Sequence, residues 1–274
     1  MRRVAYTVML ILTCALFAPS TVLAETVLWD TAHDGGVGFF DDYGQLADSL
    51  AGSYQGPFTF ETGSSLNQLG NSLFGWNYDA VVISVLSSTA SAYSPAEVAK
   101  ITEFVNDGGG LLIMGDNPST PNANIQPVAS AFGVELGIEN LSTGGLSTSN
   151  FDDSDPLFGL LFDDVWPYDS IDTYVDTLYF QAPGEINATS PANEIGWVNA
   201  SNRALIASTN YGEGYVVTVG DASFLKNDYF SNADNMQFAV NTFGLLTPAM
   251  HNPEPATVML LGLGSLVLVR RKKR

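Results

Sequence analysis

The sequence has a single cysteine, Cys14, and it falls inside the first 24 residues. Those residues form a device of their own. Arg2 and Arg3 open it, an apolar run from Val4 to Phe17 follows, and "TVLA" ends at Ala24 ahead of Glu25. That order is a secretory signal peptide, used by the export machinery and removed by signal peptidase. The run is short for a membrane anchor, and Thr13 is a poor neighbour for a lipidated Cys14. Once residues 1–24 are gone, no thiol remains. A disulfide, a cysteine nucleophile and a thiolate metal site are therefore excluded from the exported chain.

Positive charge is nearly as scarce. Of ten Lys and Arg, two precede the signal run and five are Arg270, Arg271, Lys272, Lys273 and Arg274, which leaves Lys100, Arg203 and Lys226 between them. The body from Glu25 to Thr247 sets 28 acids against those three bases. Nucleic acid is excluded as a partner, because its recognition requires clustered basic side chains to displace counterions. So acidic a surface suits solubility outside the cell or tolerance of salt; the sharper alternative is calcium. The nearest approach to a calcium loop, "DDSDPLFG", breaks the required spacing at Leu157, so no metal site is expected. There is no G-x-S-x-G elbow, and His33 and His251 are the only histidines, which leaves a serine triad unsupported. No cofactor motif is present, and none is expected.

What the body does contain is an alternation of strands and helices. "ETVLWD" and "PFTFE" read as short strands, and "FFDDYGQLADSLAGS" between them has helical spacing through Phe40, Tyr43, Leu46, Ala47 and Leu50. "SSLNQLGNSLF" predicts a helix capped by Ser64 or Ser65. "YDAVVISVL" is a β-branched run of the kind buried on both faces of a parallel sheet. In "YSPAEVAKITEFVNDGGGLLIMGDN", Ser94 caps a helix, Pro95 takes its first position and Glu97 completes a capping box. Val98, Ile101, Phe104 and Val105 form its apolar stripe, Gly108 to Gly110 stop it, and Leu111 to Met114 form the next strand. "NANIQPVASAFGVEL" predicts a helix ending near Gly133. From about 134 to 200 the pattern weakens, and the stretch reads as an insertion with small strands at one sheet edge; "IDTYVDTLYF" alternates like a half-exposed strand. "RALIASTNYGEGYVVTVGDASF" predicts an antiparallel hairpin at the sheet edge, and "NADNMQFAVNTFGLL" a closing helix. The expected fold is a three-layer α/β/α sandwich around a mostly parallel, flavodoxin- or Rossmann-like sheet, with hydrophobic helices at both chain ends. The expected organisation is a signal peptide over 1–24, one domain over 25–247 and a C-terminal signal over 248–274.

The "WDTAH" after the first strand, the block "YSPAEVAKITEFVNDGGGLLIMGD", and "GEGYVVTVGDASF" with Asp234, Asn235 and Asn241 beyond it resemble the class I glutamine amidotransferase-like superfamily. The resemblance covers roughly Glu25 to Leu246. Catalytic members use a cysteine nucleophile activated by histidine. No cysteine lies in this stretch, so the resemblance implies a non-catalytic branch of secreted or membrane-linked domains.

In a doubly wound sheet, ligands collect beyond the carboxyl ends of the strands. His33 and Asp34 follow the first strand, Ser87 and Ser88 the "VVISVL" strand, Asp116 and Asn117 the "LLIMG" strand, and Asp221 and Ser223 the "VVTVG" strand. With parallel strands these residues form a candidate ligand-binding rim. Two readings are open: a small polar or carbohydrate cleft, or helix caps and strand-end partners with His33 bonded to Asp30 or Asp221. Trp76, Trp166, Trp197, Tyr168, Tyr174 and Tyr211 either stack on sugars or pack internally. No catalytic residue is expected. The alternative is a glycan-directed hydrolase using rim carboxylates such as Asp116 and Asp221, which would need paired spacing and one shielded acid.

The chain ends "HNPEPATVMLLGLGSLVLVRRKKR". Pro253, Glu254 and Pro255, an apolar run over 256–269 and the basic cluster over 270–274 resemble the PEP-CTERM sorting signal of Gram-negative bacteria. The resemblance implies recognition by an exosortase in the inner membrane, cleavage near the triplet, delivery to the cell surface or matrix, and an association with exopolysaccharide. As a helix the run reaches about 21 Å, short of a hydrocarbon core of about 30 Å. The basic cluster stays cytoplasmic by the positive-inside rule. A run so short serves transit better than permanent anchoring.

Overall fold

The computed structural model describes residues 24–33, 39–53, 57–71, 73, 75–85, 91–158, 174–199 and 201–247. The expected signal peptide and the hydrophobic helices expected at both chain ends lie outside these, as does the sorting tail. Among the described residues no helix is long and apolar enough to cross a membrane.

Among the described residues the main sheet has eight strands. In chain order they are β1 (Glu25–Asp30), β2 (Phe58–Gly63), β3 (Ala80–Ser84), β4 (Gly110–Met114), β5 (Asn150–Phe151), β6 (Asn193–Trp197), β7 (Ala204–Tyr211) and β8 (Gly214–Val219). Their order across the sheet is β2-β1-β3-β4-β8-β7-β6-β5. The pairings from β2 to β8 are parallel, and those beyond β8 are antiparallel. Every residue of β3 and β4 is buried, as continuous β-branched and leucine runs require when both faces are covered.

Among the described residues five α-helices accompany the sheet: α1 (Phe39–Ala51), the single turn α2 (Ser65–Gln68), α3 (Pro95–Asn106), α4 (Gln126–Ala131) and α5 (Asn235–Leu246). α1 packs on α5, and α3 packs on α4. The two pairs take opposite faces, as side-chain alternation on β7 shows: Thr209 bonds the carbonyl of Phe132 at the end of α4, while its neighbours Ser208 and Asn210 share a cavity wall with Leu245 of α5. The helix–sheet–helix layering is thereby built. α3 carries the capping box: Ser94 Oγ accepts from the Glu97 amide, and Glu97 Oε2 accepts from the Ser94 amide at 2.7 Å. At the start of β4, Gly110 admits the C-terminus of α5. A Cβ there would sit 2.0 Å from the Leu246 carbonyl oxygen.

Two expectations need correction. The helix over 64–74 is one turn only. Gly70 adopts φ +90°, the left-handed region, and sends the chain into a small antiparallel pair between Gly70–Asn71 and Gly75–Trp76. The β7–β8 hairpin is internal rather than at the edge. β8 pairs in parallel with β4, and β6 and β5 from the inserted region extend the sheet beyond β7. In "IDTYVDTLYF" the strand begins only at Leu178 among the described residues; it runs Leu178–Gln181 and pairs with Gly145–Thr148 away from the main sheet.

Candidate functional site

The register aligns the carboxyl ends of the parallel strands, with Ser84 opposite Met114 and Met114 opposite Val219. The segments after β1, β3, β4 and β8 therefore open on one rim. His33, Asp116, Asn117, Asp221 and Ser223 all follow these ends. Asp34, Ser87 and Ser88 lie outside the described residues. β1 and β8 are three strand spacings apart, roughly 14 Å, so the rim has two separate centres.

The first centre is His33. It is buried, its Nδ1 lies 2.7 Å from the Ser91 carbonyl oxygen, and its Nε2 lies 3.0 Å from Glu97 Oε1. The Tyr93 ring lies against it with centroids 3.9 Å apart. Its partners are therefore Ser91 and Glu97, in place of the expected Asp30 or Asp221. Glu97 thus uses one oxygen for the helix cap and the other for His33. Burial opposes the imidazolium, but the bonds to Ser91 and Glu97 and the charges of Glu97 and Asp30 outweigh it and raise the His33 pKa.

The second centre joins β4 and β8. Asp221 is fully buried; Oδ2 accepts from the Gln181 amide and Oδ1 from the Ser223 amide, both at 2.6 Å. Asp116 Oδ1 accepts from the amide and side chain of Asn117 at 2.6 and 3.0 Å. Asn122 locks the loop by bonding the Asp116 amide and the Asp116 and Asn117 carbonyls. Burial drives the Asp116 pKa up to about 6 against its Asn117 bonds and the charge of Lys226. Burial likewise drives Asp221 up to about 7; its two amide bonds oppose this, the Asp116 charge adds to it, and Lys226 again opposes it. Lys226 also lies 3.7 Å from Asp42 at the start of α1. Tyr43 reaches the same region, its hydroxyl donating to the Ala222 carbonyl at 2.8 Å.

The side chains of His33, Asp116, Asn117 and Asp221 thus each have a protein partner. Lys226, Gln181, Glu97 and Asn122 complete the rim without having been singled out for it. The scarcity of bases made Lys226 conspicuous, but only the fold brings it to Asp116 and Asp221. Trp76 packs edge-on against Phe104, Tyr211 against Phe132, and Trp197 bonds Glu194 through its indole nitrogen. Trp166 and Tyr168 lie outside the described residues, and Tyr174 is 46% exposed.

Several solved proteins share this architecture. The N-terminal domain of mmIFT52 superposes with a TM-score of 0.57 at 13% identity, over 84% of this chain and 99% of that one. A cytoplasmic protein of Salmonella typhimurium, STM3548, gives 0.54 at 15% identity, over 82% and 99%. The cold-adapted beta-galactosidase of Rahnella sp. R3 gives 0.50 at 13% identity, over 92% of this chain and 35% of that one. At these identities the likeness is one of fold. No curated protein matches the sequence. Residues 77–243 match the family described as "Domain of unknown function (DUF4350)", and the chain belongs to that family. Residues 253–274 match the PEP-CTERM protein-sorting motif. That tail implies an exosortase as processing partner and export to the surface of a Gram-negative cell.

Proposed function

We propose that this is a non-enzymatic cell-surface protein, trimmed at its PEP-CTERM tail, whose α/β domain binds extracellular polysaccharide. The observation that carries the reading is the sorting motif over 253–274. The chemistry of the rim supports the non-catalytic part. Asp221 is enclosed and commits both oxygens to backbone amides, and His33 is committed to Ser91 and Glu97. A general acid or base has to reach a substrate atom. The body is read as a non-catalytic relative of the class I glutamine amidotransferase-like proteins, on the block over 93–116 and the absence of cysteine from the exported chain.

A glycan-directed hydrolase is the second reading. It is favoured by the half-buried Asp116, whose pKa burial raises to about 6, as suits a general acid. The two readings separate in one assay. The purified protein is incubated with exopolysaccharide from the bacterium that makes it, and the polymer is sized by chromatography. Unchanged chain length with retention of the protein supports binding. Shortening that disappears in Asp116→Asn establishes the hydrolase. Processing is tested by mass spectrometry of protein extracted from the cell surface. The expected form lacks 256–274, and recovery of a peptide spanning 263–269 would show a permanent anchor.

A further inference from the structure

At the end of the sheet opposite the rim, β6, β7 and β8 carry a polar groove. The antiparallel register creates its floor. Asn193 pairs with Ser208, Ser208 with Val217, and Asn210 with Tyr215. Paired residues point to the same face, and so do residues two apart on one strand. Asn193, Ser208, Asn210 and Tyr215 therefore stand together on the α5 side of the sheet. The loop over 152–156 forms one wall, and Leu245 near the end of α5 closes another, enclosing ≈ 670 Å³. That volume falls within the usual range of small-ligand sites.

The centre of the groove is organised by Asp155. Its carboxylate accepts from the Leu157 amide at 3.0 Å and from the Ser208 hydroxyl at 3.0 Å. The Tyr215 hydroxyl lies 3.4 and 3.5 Å from its two oxygens. These bonds hold the Ser208 and Tyr215 hydroxyls in place. Asn193 and Asn210 are exposed and offer amide donors and acceptors along the floor.

The lining selects by charge. It holds Asp152, Asp155, Glu194 and Glu213 and no Lys or Arg, so an anionic polymer is repelled. Among the described residues no group of three His, Cys, Asp or Glu is placed to hold a metal ion. A ligand rich in hydroxyls fits both halves of the lining, donating to the carboxylates and accepting from the asparagine amides. Pro156 and the Tyr215 ring add apolar surface suited to the C–H face of a sugar.

We propose that this groove is the binding site for a neutral, hydroxyl-rich glycan. The inference rests on the polysaccharide reading above and names its site and ligand class. The test is affinity electrophoresis of the surface-extracted protein in native gels. The gels contain exopolysaccharide from the producing bacterium, neutral dextran, neutral galactomannan, anionic alginate or cationic poly-lysine. The wild type should be retarded by its own exopolysaccharide and by a neutral polymer, and alginate should not retard it.

Asp155→Asn should weaken retention about tenfold, as expected for the loss of one charged hydrogen-bonding partner. Asn210→Trp fills the groove from an exposed position and should abolish retention without unfolding the domain. Asp48→Asn, at an exposed position of α1 outside the groove, should leave retention unchanged. Wild-type retention in Asn210→Trp would overturn the groove as the site while the polysaccharide reading stands. So would loss of retention in Asp48→Asn alone. Preference for alginate, or retention by poly-lysine alone, would overturn the ligand class. No retardation in the native exopolysaccharide would overturn the broader reading and this inference with it.

Discussion

Asp221→Asn should flatten the pH dependence of stability. In the folded protein burial outweighs the two amide bonds, and the carboxyl pKa rises from 3.8 to about 7. The folded state therefore keeps a proton that the unfolded chain releases. Stability from this group is fully present below the unfolded pKa and falls as pH rises through the window from about 4 to about 7. About three units correspond to roughly 4 kcal/mol, or a shift of roughly 8–16 °C in melting temperature for a domain of this size. The wild type should resist urea best near pH 5 and weaken towards pH 8. Asparagine cannot titrate, and its amide nitrogen cannot accept from the second of the Gln181 and Ser223 amides. Near pH 5 the variant should lose about 1–3 kcal/mol; by pH 8 the gap should close or reverse. Urea unfolding of both proteins at half-unit pH steps measures this. Parallel curves for wild type and variant would show that the two amides and Lys226 keep Asp221 ionised throughout, and would refute the reasoning.

Gly110→Ala should destabilise the domain by about 2 kcal/mol or more, because the new Cβ would meet the Leu246 carbonyl oxygen at the end of α5; urea unfolding measures the loss, and wild-type stability would show that α5 can shift. His33→Ala should cost about 1–3 kcal/mol by unpairing Glu97 Oε1, with glycan retention unchanged. Because the His33 pKa is raised, its contribution should be present at acid pH and decline as pH rises through the folded value; a calorimetric difference that grows with pH would contradict the assignment. Replacing Pro253, Glu254 and Pro255 by alanine should block processing and leave the full-length chain in the inner-membrane fraction, checked by intact-mass measurement.

The features legible in the sequence are those whose partners lie close along the chain. Ser94, Pro95 and Glu97 announce the start of α3 because a capping box closes within one turn. The runs "AVVIS" and "GLLIM" announce buried parallel strands because no polar residue interrupts them. The tail is legible for the same reason: triplet, apolar run and basic cluster act as one linear signal. Where local pattern and tertiary context disagreed, context won. Gly70 turned the helix expected over 64–74 into one turn and a small strand pair, and β6 and β5 moved the β7–β8 hairpin from the edge of the sheet to its interior.

The amino-acid order alone thus determined the sorting tail and the alternation of strands and helices. Tertiary structure decided the rest. It made Glu97 the partner of His33, 64 positions away in the chain, and it placed Asp116, Asp221 and Lys226 in one electrostatic cluster. It assembled the groove from side chains as distant as Asp152 and Leu245. Contacts of this kind depend on strand order and register, and those are set when the whole sheet buries its apolar faces at once; no single segment carries that information.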